Sequence, residues 1–91
     1  MYAVVVREAG DRALIEGSDE HVEASVLPRV RQAPGIVSAL WMTDGSGGTL
    51  NVLVFESEEA ARAALEPTRN APRPPFMRLQ DAGVYRVMGS I

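Results

Sequence analysis

Ninety-one residues with formal net charge −3, no cysteine and no lysine describe one small folding unit. That composition excludes disulfides, thiolate chemistry, Schiff-base catalysis by a lysine and the basic footprint of a nucleic-acid binder. The longest unbroken apolar run, "AVVV", is far too short to span a membrane, and no charged leader with a long apolar stretch precedes it. Without a leader or a disulfide framework, a cytoplasmic location is expected. All nine basic residues are arginine, a pattern that codon bias explains as readily as a phosphate site does.

"YAVVV" (Tyr2–Val6) is β-branched and is expected to be the first strand. Glu8–Gly17 reads as a polar connection in which Leu14 and Ile15 pack down locally. Ser18 is expected to cap a helix, with Asp19, Glu20 and Glu23 near its positive end and Val22, Val26, Val30 and Ala33 on one face. Pro34 and Gly35 end it, and Pro28 should kink or break it over Ala24–Pro28.

"IVSALWMTD" and "TLNVLVFES" alternate as strands, joined by "DGSGG". A phosphate loop leads from a strand into helix amides, and a nucleophile elbow needs Gly-x-Ser-x-Gly before a helix. This glycine cluster leads into another strand, so it reads as a hairpin bend in which glycine supplies positive φ. Ser57 is expected to cap a second helix, "SEEAARAALE", with Ala60, Ala61, Ala64 and Leu65 buried and Pro67 as its stop. Thr68–Gly83, with Pro72, Pro74 and Pro75, reads as an ordered loop, and "GVYRVMGSI" as the last strand.

The order is β-α-β-β-α-β, a ferredoxin-like α+β fold with a four-stranded antiparallel sheet and two helices on one face. Both sets of alternate strand residues are apolar. If Leu50, Val52 and Val54 face the helices, then Asn51, Leu53 and Phe55 face away. Two helices cover one face only, so a symmetric homodimer with sheets packed face to face is expected, the chain being its own partner.

The stretches "VLPRVRQAPGIVSALWMTDGSGG" and "VLVFESEEAARAA" resemble the antibiotic biosynthesis monooxygenase-like group of dimeric α/β-barrel proteins, above all its small stand-alone members. The resemblance covers most of residues 1–66. It implies a cofactor-independent monooxygenase, with no metal or flavin, in which an electron-rich aromatic substrate itself activates oxygen. An asparagine, a tryptophan and an arginine or histidine position such substrates in the group, and Asn51, Trp41 and Arg86 supply these residue types as the candidate catalytic residues. The group's haem-degrading members use a late histidine and an asparagine near the first strand, and this chain has neither.

Each candidate also has a plainer reading. Trp41 reads as a core or interface aromatic, Arg86 as a solvated strand charge, and Asn51 as an exposed position in a strand where asparagine is depleted. His21 reads as exposed, and one histidine without cysteine makes a metal site or a serine triad improbable. Arg69, Arg73 and Arg78 read as solvated loop charges or as the mouth of an anion pocket. The alternative to an oxygenase is a non-catalytic, stress-associated dimer that binds a small apolar or aromatic ligand.

Overall fold

A computed structural model describes all residues, Met1–Ile91. Four strands form one antiparallel sheet in the order β2-β3-β1-β4: β1 Tyr2–Gly10, β2 Ile36–Thr43, β3 Gly48–Phe55 and β4 Met77–Arg86. This is the expected ferredoxin-like α+β topology, in which each helix-bearing crossover skips one strand. No helix is long and apolar enough to cross a membrane.

Several boundaries differ from the sequence expectation. β1 runs four residues past Val6, because Arg7 to Gly10 pair with both neighbours or with the incoming β4. At Gly10 the Phe76 carbonyl occupies the space a Cβ would need, so only glycine lets the two segments approach there. The expected polar connection contains a helix, α1 Arg12–Glu16, capped by the Asp11 carboxylate accepting from the Leu14 amide at 3.1 Å.

The next helical segment, α2, is built from Asp19–His21, a π-helical stretch Val22–Val26 and Leu27–Val30. The break expected over Ala24–Pro28 is this wide turn, in which the Leu27 amide reaches back five residues to the Val22 carbonyl. Pro28 has no N–H, and the wider turn relieves the clash its ring makes in a regular helix. Ser18 does not cap α2 through its side chain. Its hydroxyl donates instead to the Ile15 carbonyl at 2.7 Å, tying α2 to α1.

The last helix, α3 Glu58–Arg69, begins as expected, with Ser57 Oγ accepting from the Ala60 amide at 3.1 Å. It does not stop at Pro67. Proline so near the end forfeits one bond, and the final carbonyls find other donors: the Asn70 amide reaches Glu66 O at 2.9 Å, and the Arg73 guanidinium takes Thr68 O, Arg69 O and Ala71 O. β4 then starts at Met77, not at Gly83, and ends at Arg86. A bulge opposite Arg7 and Glu8 absorbs one residue, so the ladder survives the irregular entry.

The buried core comprises Val4, Val6, Leu53, Phe55, Ala61 and Ala82. Leu53 and Phe55 therefore lie under the helices, with Trp41 packed beside them. The two alternate sets of β3 are those read from the sequence, but their sides are reversed. Leu50, Val52 and Val54 face away from the helices, in line with Leu40 and Met42 on β2 by register. The reason lies in the partners: the small side chains of α3, Ala60, Ala61 and Ala64, let this helix lie close to the sheet, where the bulkiest residues, Phe55 and Trp41, fill the layer. The open face is apolar too, with Leu40 61 % and Tyr85 55 % exposed.

Between β2 and β3 the glycine cluster forms the expected bend. Gly45 and Gly47 have φ of 77° and 93°, and Asp44 Oδ1 accepts from the Ser46 and Gly48 amides at 2.7 and 3.0 Å.

Candidate functional site

The helix-covered face becomes polar toward the hairpin end. On β1 the inward series Val4, Val6 is continued by Glu8, a carboxylate only 8 % exposed. On β3 the inward series Phe55, Leu53 is continued by Asn51, 6 % exposed, and Thr49. On β2 Trp41 stands directly opposite Asn51 and Thr43 opposite Thr49. Side chains two apart on one strand share a face, so the alternation alone brings these groups into one patch.

Two of them, Asn51 and Glu8, form a chain of hydrogen bonds with Arg73 of the proline-rich segment. Asn51 Nδ2 donates to Glu8 Oε1 at 2.7 Å, and Arg73 Nε donates to Glu8 Oε2. The pair of charges is largely buried, with side-chain exposure of 17 % for Arg73 and 10 % for Glu8. A carboxylate accepts only, so the Asn51 amide must turn its nitrogen toward Glu8 and its oxygen away. That oxygen, Oδ1, is buried and has no partner, and neither has Thr49 Oγ1. An orphaned buried carbonyl costs about 1–3 kcal/mol, so the sheet holds an acceptor without a donor. Asn51 is thus not an exposed strand residue, and Trp41 belongs to the helix-covered layer and not to the open face.

α1 lies against this end of the sheet. Thr43 Oγ1 donates to Glu16 Oε2 at 2.6 Å, and Arg12 Nε to Gly45 O at 2.6 Å. Both bonds are exposed. A cleft of about 280 Å3 opens between α1, the start of α2 and the proline-rich segment, walled by Leu14, Ser18, His21, Pro74 and Phe76. His21 is exposed on its rim.

Arg86 is not part of the cluster. It pairs with Tyr2 at the opposite end of β1, four residues from the rung shared by Val6 and Asn51, or about 13 Å along the strand. It is exposed, as is Arg78, while Arg69 donates to Glu66 and to the Ala82 carbonyl. The cation that does reach the site is Arg73. Nothing in the sequence singles it out from Arg69 and Arg78. Glu8 did leave a signal, as a carboxylate at an inward position of an otherwise apolar alternation.

No family model matches the chain, and no curated protein matches it. Solved structures resemble it, among them two that cover almost its whole length. One is a monooxygenase, ActVA-Orf6 of Streptomyces coelicolor, in complex with nanaomycin D: 22 % identity, TM-score 0.64, 99 % of this chain and 89 % of that one. The other is a variant of MhuD with two manganese protoporphyrin IX molecules bound per active site: 15 % identity, TM-score 0.66, 100 % of this chain and 98 % of that one. At these identities the likeness is one of fold, and the chain shares the ferredoxin-like α+β fold of both structures.

Proposed function

We propose that this chain binds a small hydroxylated aromatic molecule against the neighbouring side chains of Trp41 and Asn51 and oxidises it with dioxygen, without metal or flavin. The observation that carries the reading is the unpartnered Asn51 Oδ1, buried beside the one tryptophan of the chain. A ligand hydroxyl donating to that oxygen removes the cost of the orphan, and the indole supplies an apolar face for the ring. Both structural neighbours hold extended ring systems, nanaomycin D in one and a porphyrin in the other, which supports a flat ligand on this fold.

Drawing proton density from a phenol toward Asn51 Oδ1 enriches the ring in electrons. Such a ring reduces dioxygen itself: one oxygen atom enters the ring as a quinone carbonyl and the other leaves as water, taking both displaced hydrogens. Of the three residues expected at the site, Asn51 and Trp41 carry this reading, and Arg73 takes the place of Arg86 as its cation. The open face of Leu40, Met42, Val52 and Tyr85 is covered in this reading by a second copy of the chain.

The test is oxygen uptake with a panel of dihydroxynaphthalenes. The reading expects consumption above the uncatalysed rate, lowered at least about tenfold in Asn51→Ala. A second reading, a ligand-binding dimer without a reaction, is favoured by Glu8: both its oxygens already accept hydrogen bonds, so the cluster contains no unengaged base. Binding without oxygen uptake selects it.

A further inference from the structure

Arg73 and Glu8 lie 65 residues apart in sequence, yet one guanidinium joins four groups: the Glu8 carboxylate and the carbonyls of Thr68, Arg69 and Ala71. It thereby fastens the end of α3 and the proline-rich segment to β1. The other Glu8 oxygen holds the Asn51 nitrogen. An isolated asparagine amide can turn over and present either end, since its oxygen and nitrogen are nearly the same size. Here one orientation is enforced, because the reverse would set the amide oxygen against a carboxylate oxygen.

We infer that Glu8, gripped by Arg73, is a positioning residue that decides which end of the Asn51 amide a ligand meets, and so makes the site one that accepts hydrogen-bond donors and refuses acceptors. The inference rests on the binding site proposed above. Of the other charged groups near this end, Glu16 accepts from Thr43 and Arg12 donates to the Gly45 carbonyl, so neither competes for Asn51. The relay has three members joined by two links, and two substitutions probe it. Glu8→Gln replaces an obligate acceptor by a group with both a donor and an acceptor end. Arg73→Lys keeps the charge but loses the fork that reaches the three carbonyls.

The test uses two probes of nearly equal shape, 2-naphthol and 2-methoxynaphthalene, with binding read by quenching of Trp41 fluorescence, and the Asn51 side-chain amide read by 15N NMR. Wild type is expected to show one Asn51 amide pair, one proton of it shifted downfield by the carboxylate, and to prefer 2-naphthol by about tenfold. E8Q is expected to lose that downfield shift and to bring the preference to about twofold or less. A merely structural role for Glu8 would weaken both probes alike and leave their ratio unchanged, which overturns the inference. If E8Q does not fold, R73K answers the same question, with the ratio expected between those two values. An Asn51 amide with the same shift in the folded variants also overturns the relay. Should wild type bind neither probe, the reading of the site falls, while the amide spectra still decide whether Glu8 sets the orientation of Asn51.

Discussion

Asn51 and Glu8 are 43 residues apart in sequence and 2.7 Å apart in the structure, joined on the helix-covered side of the sheet by one hydrogen bond. β1 and β3 pair so that Asn51 is opposite Val6 and Glu8 opposite Thr49, which makes the two side chains diagonal neighbours on one face. The remaining acceptor of Asn51 is left open by that bond, and the candidate site is built around it.

Arg73 carries more structure than its place in a proline-rich stretch implies. Arg73→Ala removes one partner of a largely buried ion pair and the donor to three carbonyls. The expected loss of stability is about 3 kcal/mol, measured by urea unfolding. Limited proteolysis should then cut within residues 70–76. A variant as stable as wild type, with that segment still protected, would show the pair to be incidental.

Thr49 Oγ1 is buried beside the site without a partner. Thr49→Val keeps the shape and removes the unsatisfied hydroxyl, so stability should rise by up to about 1 kcal/mol. Thermal unfolding checks it. A drop in the melting temperature would mean that the hydroxyl is engaged in the folded protein.

The hairpin is expected to be acid-sensitive. The Ser46 amide, and then the Gly48 amide, hold the Asp44 carboxyl below its ordinary value of 3.8. A depressed carboxyl contributes stability that is complete above its unfolded value and is lost as the pH falls through the lowered folded value. Below about pH 4, therefore, wild type should lose stability faster than Asp44→Asn, followed by thermal unfolding between pH 5 and pH 2. Parallel slopes would remove Asp44 from the account.

The open sheet face gives a separate expectation. Leu40 and Tyr85 are mostly exposed, with Leu50, Val52 and Val54 beside them. Leu40→Asp should convert a dimer to a monomer in sedimentation experiments at micromolar concentration, with the fold retained by circular dichroism. A wild-type monomer of 9.8 kDa at those concentrations would contradict dimerisation.

The first three strands, helix α3, the hairpin and the break before Pro28 could be read from period, caps and glycine placement, because each is set by residues close in sequence; the sheet order followed only from the order of the elements, and α1 was read as a polar connection. The side of the sheet could not, because Leu50, Val52, Val54 and Asn51, Leu53, Phe55 are almost equally apolar sets. Only the fit of Phe55 against Ala61 and its neighbours decides between them. The reach of α3 past Pro67 and the early start of β4 depend on Arg73 and on the bulge near Glu8, contacts made across most of the chain. The same holds for the site. Asn51 in mid-strand was visible as an anomaly and Trp41 as the one tryptophan. Their cation was not, since Arg86 and Arg73 are the same residue type: the strand register puts one about 13 Å along the sheet, and the segment after α3 brings the other against Glu8.

Whether Asn51 and Trp41 receive an aromatic ligand is tested most directly by titrating 15N-labelled protein with 2-naphthol. The account predicts saturable shifts of the Asn51 side-chain amide and the Trp41 indole N–H, with smaller ones at Arg73 and Phe76, which flank Pro74 and Pro75. Shifts confined to Leu40, Val52 and Tyr85 on the open face, or none at millimolar ligand, would contradict it.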